Sequence, residues 1–143
     1  MKNVMIVNGP NLNLLGERDV LVYGEMTLLE LNSFLIKKFS NLEIRTFQSN
    51  HEGQLIDWIQ ENRNWADGLV INPAGYTHTS IALRDTVEAI RIPSVEVHLS
   101  NIKNREPFRM NSFFSDVCVA SFMGKKELSY VDGINFLLEL ESK

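Results

Sequence analysis

Gly68-Leu69-Val70-Ile71, closed by Asn72-Pro73-Ala74-Gly75, is the stretch that decides the fold. Its first four residues carry no alternation of polar and apolar positions. A strand with one wet face alternates, whereas a parallel strand covered on both faces reads as a continuous apolar run. The Asn-Pro-Ala-Gly that follows is a chain breaker, so the run ends at a sharp turn. Working outward, similar short runs recur along the chain. Val4-Met5-Ile6-Val7 is bounded by Asn8-Gly9-Pro10, Leu42 to Phe47 alternates weakly, Pro93 introduces Ser94 to His98, and Val117-Cys118-Val119-Ala120 reads as a fifth strand.

Helical patterns separate these runs. Thr27-Leu28-Leu29-Glu30 has the form of a capping box and opens a helix with Leu28, Leu31, Leu35 and Phe39 on one face. Ser49-Asn50-His51-Glu52 reads as a second capping box, before Leu55, Ile56 and Ile59. A third helix is expected over Ser80 to Ile90, with Ala82, Leu83, Thr86, Val87 and Ile90 inward. Tyr130, Ile134, Leu137 and Leu138 mark the last. Strict alternation of strands and helices implies an α/β fold with a parallel sheet and right-handed crossovers. At this length the five-stranded order 2-1-3-4-5 of a flavodoxin-like three-layer sandwich is the economical arrangement. It makes strands 1, 3 and 4 neighbours, and the loops after them converge at the carboxyl edge, where ligands bind.

Composition sets the outer bounds. The 143 residues carry 14 Lys+Arg against 18 Asp+Glu, a net charge of −4, with 44% hydrophobic and 22% charged residues. These values exclude a disordered or fibrous chain. The length suits a single domain spanning 1–143 and leaves no room for a separate cofactor-binding module. A chain of this size buries roughly 68–70% of its unfolded surface, so the core needs no staple, and the single Cys118 cannot form an internal disulfide. The acidic balance argues against a nucleic-acid partner. No apolar run approaches the ~20 residues of a membrane span. Met1-Lys2-Asn3-Val4 enters a strand directly, without a signal-peptide cleavage site. A cytoplasmic protein without membrane contact is expected.

The polar residues gather where the fold would place a ligand. Asn8-Gly-Pro-Asn-Leu-Asn-Leu-Leu-Gly-Glu-Arg18 follows strand 1, Asn72-Pro-Ala-Gly-Tyr-Thr-His-Thr-Ser80 follows strand 3, and His98-Leu-Ser-Asn101 follows strand 4. Amides, hydroxyls and imidazoles predominate, and acids are nearly absent. That set suits a small, polyhydroxylated, anionic ligand. A phospho-acceptor receiver would need acids where Asn8 and Asn72 stand. A flavin phosphate loop would need hydroxyls and glycines where Pro10, Leu12, Leu14 and Leu15 stand. His51, His78 and His98 share no ligand-spaced motif, so no metal is expected.

These blocks, with Tyr23-Gly24, Gln48-Ser-Asn-His-Glu-Gly53 and Glu96-Val-His-Leu-Ser-Asn101, resemble the type II 3-dehydroquinate dehydratases of the shikimate pathway over nearly the whole chain. The resemblance implies a hydro-lyase that converts 3-dehydroquinate to 3-dehydroshikimate by anti elimination through an enolate. It implies no metal, no organic cofactor, and a homododecamer built from trimers. Tyr23 resembles the family's base. A phenol is mostly protonated at neutral pH and needs a neighbouring cation to favour its anion, for which Arg18 is the candidate. Gly16 and Gly24 flank that segment as expected lid hinges. His98 is the expected acid. Glu96, two residues earlier and on the same strand face, is open between orienting His98, holding a catalytic water, and facing solvent from an edge strand.

Asn11 would hold a water against the enolate oxygen. Asn72, His78, the backbone at Leu99, Ser100 and Arg109 resemble the substrate contacts, the arginine fork suiting a carboxylate. Asp85 resembles a residue that reaches a neighbouring subunit's site, against the alternative of an exposed helical acid. Arg105 is open between an ion supporting the site and a solvated charge. Cys118 is expected as a buried core thiol, and Trp58 and Trp65 as core or interface packing. The turn at Ala74-Gly75 departs from the more usual Gly-Ala, which is expected to alter local backbone geometry. Met110-Asn111 stands where a His pair is common. The rival from another class is a non-catalytic flavodoxin-like module that binds a small hydroxylated carboxylate, with Arg18 and Tyr23 incidental.

Overall fold

In a computed structural model, which describes residues 1–141, five strands and five α-helices follow one another along the chain. The order is β1 (Asn3–Asn8), α1 (Val20–Tyr23), α2 (Leu28–Lys38), β2 (Glu43–Gln48), α3 (Glu52–Asn62), β3 (Gly68–Asn72), α4 (Ile81–Ile90), β4 (Ser94–His98), β5 (Ala120–Met123) and α5 (Glu127–Glu141). The sheet order is β2-β1-β3-β4-β5, parallel throughout, as the sequence pattern requires. β3 and β4 are buried along their whole length.

Period-two alternation divides each central strand between two cores. Val4, Ile6, Val70, Val95 and Val97 join Leu31, Leu35, Ile134 and Leu137 on the α2/α5 side. Met5, Val7, Leu69 and Ile71 join Leu55, Ile59, Leu83, Val87 and Phe114 on the α3/α4 side. The result is three layers. Register aligns the strand ends, with Asn8 opposite both Gln48 and Asn72. The polar residues that close β1, β2 and β3 therefore emerge side by side.

Local signals differ in how well they carry through. The Thr27 capping box forms, its hydroxyl accepting from Glu30 N at 3.1 Å while the Glu30 carboxylate accepts from Thr27 N at 3.2 Å. The second box does not. His51 is the N-cap of α3 without a side-chain bond. Ser49 Oγ accepts from His51 N and donates to Gln54, and Glu52 is taken by the Ser80 hydroxyl at the start of α4. The fifth strand also begins later than Val117. Val117 N and Cys118 N both bind Phe114 O in a turn, and the ladder with β4 starts at Ala120. The apolar Val117 and Cys118 are half-buried against the α3/α4 core, so the run reports packing of a turn. Cys118 is thus not a strand residue, and its thiol is only part-buried by area. Burial and the nearby Glu96 charge still push that thiol up to about 12. Ala82, expected inward, is exposed on α4. Among the described residues no helix is long and apolar enough to cross a membrane.

Candidate active site

The carboxyl ends of β1, β3 and β4 surround an open cleft. Asn11, Arg18, Tyr23, Asn72, His78, His98, Leu99, Ser100 and Arg109 line it, with Arg105 beside them. Nearly all of the expected site residues are brought together. Glu96 lies directly behind His98, and Asp85 lies elsewhere. Asp85 is exposed on α4, where Arg84 Nη1 donates to it at 2.8 Å.

Glu96 is fully buried because β4 is an interior strand, so the solvent-facing alternative fails. Alternation puts Glu96 and His98 on one face, and His98 Nε2 donates to Glu96 Oε2 at 2.7 Å. Ser112 donates to the same oxygen at 2.6 Å, and Ser121 and Ser115 donate to Oε1 at 2.9 and 3.4 Å. Burial raises this carboxyl, but the His98 hydrogen bond and charge, with the Ser112 and Ser121 hydroxyls, outweigh it. The net position is below the ordinary carboxyl value. An ionised carboxylate is therefore available to fix the imidazole, leaving Nδ1 unengaged by Glu96.

Across the cleft, α1 is a single turn capped by Asp19, whose carboxylate accepts from Leu21 N at 3.0 Å. Gly16 and Gly24 bracket this segment at φ of 93° and 89°, a conformation that glycine adopts without strain. Arg18 Nη2 donates to the Tyr23 hydroxyl at 2.7 Å, and its guanidinium lies 3.7 Å from the ring centroid. Arg105 approaches the same ring at 5.3 Å and donates to Ser100 Oγ at 3.3 Å. Arg105 is thus an ion of the cleft wall, and no spacing in its loop distinguished it from a solvated charge. Two guanidinium ions thus lie against one phenol ring.

The remaining polar groups are held from behind. Asn72 Nδ2 donates to the Tyr130 hydroxyl at 2.9 Å, and that hydroxyl donates to Asn8 Oδ1 at 2.5 Å. Tyr130 is completely buried on α5, which holds its phenol well above the ordinary value. Its helical spacing concealed this polar contact. Asn11 sits at φ 69°, its backbone N–H donating to Asn50 Oδ1 at 2.9 Å. Gln48 Nε2 donates to Gly9 O and to Asn50 Oδ1, tying the β2 end to the same loop. His78 Nδ1 is 2.8 Å from Asn111 O, and Arg109 Nε donates to Glu106 at 2.6 Å. At this turn Ala74 adopts φ 54°, in the left-handed region that favours glycine. Among the described residues no three His, Cys, Asp or Glu side chains are grouped to hold a metal ion.

Residues 2–138 match the model of the family described as Dehydroquinase class II. The chain is 50% identical over 132 residues to the catabolic 3-dehydroquinase of Talaromyces marneffei, spanning 91% of this chain and 75% of that one. It is 44% identical to the 3-dehydroquinate dehydratase of Halothermothrix orenii over 100% of this chain and 98% of that one. Among solved structures, type II dehydroquinase from Butyrivibrio crossotus superposes with a TM-score of 0.91 at 41% identity, covering 95% of this chain and 97% of that one. The type II enzyme from Propionibacterium acnes gives 0.90 at 32% identity, covering 96% of each.

Proposed function

The chain belongs to the class II dehydroquinase family, and from that premise we propose how it dehydrates 3-dehydroquinate to 3-dehydroshikimate. The reaction removes a proton and a hydroxyl from adjacent carbons of a β-hydroxy ketone. The Tyr23 phenolate, stabilised by Arg18 and Arg105, takes the proton from the α-carbon. The resulting enolate oxygen meets a water held by Asn11, a neutral donor placed where charge develops. His98, oriented by Glu96, then gives its proton to the departing hydroxyl, which leaves as water on the opposite face. The Tyr23 proton and the His98 vacancy balance, so protein side chains and water suffice and no cofactor is required.

Arg109 binds the substrate carboxylate as a fork, while Asn72, His78, Ser100 and the Leu99 backbone hold the hydroxyl-bearing ring. The chain acts as one catalytic domain and as a homo-oligomer, a dodecamer of trimers. There Asp85, exposed in the single chain, completes the site of a neighbouring copy. The location is cytoplasmic.

One observation carries the mechanism. A tyrosine hydroxyl held at 2.7 Å by a guanidinium shares its cleft with an imidazole fixed at 2.7 Å by a buried carboxylate. Tyr23→Phe is expected to abolish formation of the conjugated product, followed by its ultraviolet absorbance, while calorimetry still detects substrate binding. A variant that kept the wild-type rate would remove Tyr23 as the base.

A further inference from the structure

We propose that Tyr130 is a positioning residue of this site, its buried hydroxyl anchoring the NH2 of an Asn72 amide whose orientation the Ala74 N–H sets, so that the second N–H is held toward the substrate. The proposal rests on the reading of Asn72 as a substrate contact. A side-chain amide can take two orientations related by a flip, one exposing a donor and the other an acceptor. Tyr130, Asn8 and Asn72 alone admit both. In one, Asn72 donates to the hydroxyl, which donates to Asn8. In the other, the whole relay runs backwards.

The backbone breaks this symmetry. Ala74 N donates to Asn72 Oδ1 at 3.1 Å, so the carbonyl of Asn72 must lie toward the turn and its NH2 toward Tyr130. The tyrosine then receives from Asn72 at 2.9 Å and sends its own proton to Asn8 at 2.5 Å. A flipped Asn72 would set its NH2 against the Ala74 N–H, donor facing donor. The relay leaves one group unpaired, the buried Nδ2 of Asn8. That mismatch falls on the residue that does not line the cleft, whereas Asn72, which does, is satisfied at both ends. One N–H of Asn72 is committed to Tyr130, and the second is free to donate. A donor here reads an oxygen lone pair of a hydroxylated, anionic ligand, in keeping with the rest of the cleft.

Tyr130→Phe keeps the ring and removes only the relay. The expected result is a rise in KM for 3-dehydroquinate of about 3- to 10-fold, the worth of one hydrogen bond weakened by losing its anchor, with kcat within about twofold. In an Asn72→Ala background the same substitution should leave KM unchanged, because Tyr130 acts through Asn72. Asn8→Ala is the second variant, and it should raise KM in the same direction while leaving the tyrosine in place. A purely structural role would lower the melting temperature equally in both backgrounds without this loss of effect on KM. Unchanged KM in Tyr130→Phe, or an equal rise with and without Asn72, overturns the proposal. Nitrogen-15 spectra of the side-chain amides separate it from the reaction itself. A slowly exchanging Asn72 NH2 that becomes labile in Tyr130→Phe supports the relay even if the chain failed to turn over 3-dehydroquinate. An active protein whose Asn72 NH2 exchanges freely refutes the relay.

Discussion

Gly9→Ala tests whether the closeness of the β1 and β3 loops is what assembles the cleft. Gly9 N donates to Asn72 O at 2.8 Å, and a Cβ built on Gly9 would lie 2.3 Å from Pro73 O and 2.7 Å from Pro73 C. Both obstacles are backbone, so no side chain can swing away. A C···O contact needs about 3.3 Å, and the two loops must part by about 1 Å to admit one methyl group. Losing the inter-loop hydrogen bond costs about 1 kcal/mol, and overpacking adds about 1–3 kcal/mol. The sum of about 2–4 kcal/mol, set against an unfolding entropy of about 0.3 kcal/mol/K for this length, lowers the melting temperature by about 7–13 °C. Activity should fall further than stability suggests. Asn11 and Asn72 sit on the two loops being separated, and a displacement of about 1 Å can cost about 100-fold in rate. Differential scanning fluorimetry and the product-absorbance assay read the two effects on one preparation. A variant melting within about 2 °C of wild type at an unchanged rate would refute the close-approach argument.

Ala74→Gly should raise stability by about 0.5–1 kcal/mol, because alanine at φ 54° carries a cost that glycine does not. Urea unfolding measures it, and a fall in the midpoint would mean that the turn is not strained. The Glu96 carboxyl lies below its ordinary value of 4.5 in the folded chain. Its contribution to stability is therefore fully present above about pH 4.5 and is lost as pH falls through the lower folded value. Glu96→Gln should flatten that acid limb in pH-dependent unfolding and, by releasing His98, slow turnover roughly 10- to 100-fold. An acid limb as steep as wild type would exclude Glu96 as its source.

How legible this molecule is in its sequence follows from where each signal is written. β1 and β3 are covered on both faces, so burial alone writes them as apolar runs, whereas β4 is just as buried yet alternates as Ser94-Val95-Glu96-Val97-His98 because it carries the site's own pair. β5 is an edge strand with only partial cover. Its pattern was outshone by Val117 and Cys118, which are apolar because a turn packs them against Phe114 and its neighbours. The cleft was legible as polar blocks because the sheet order brings the loops after β1, β3 and β4 together, and amides, hydroxyls and imidazoles crowd those three loops. The Glu96–His98 pair was legible because a spacing of two on a strand fixes a shared face. Its serine cradle was not, since Ser112, Ser115 and Ser121 reach Glu96 from a loop and from the edge strand.

The least legible residues are those whose polar atom hides inside an apolar pattern. Tyr130 occupies the same stripe as Ile134 and Leu137, and nothing in that spacing distinguishes a tyrosine packed for its ring from one retained for its hydroxyl. The difference is set by what lies opposite, here Asn8 and Asn72 at the ends of two neighbouring strands and 122 and 58 residues away in sequence. The same holds for Gln48-Ser-Asn-His-Glu-Gly53. It resembles a local capping signal, yet Asn50 carries the Asn11 amide and Glu52 carries the Ser80 hydroxyl. A local pattern can show that a residue would satisfy a nearby backbone donor. It cannot show that a distant group, brought close by sheet register, competes for it and wins. In this fold the register places Asn8, Gln48 and Asn72 in one row, so Asn50 serves Gln48 and the Asn11 backbone, Glu52 serves Ser80, and the second capping box goes unmade.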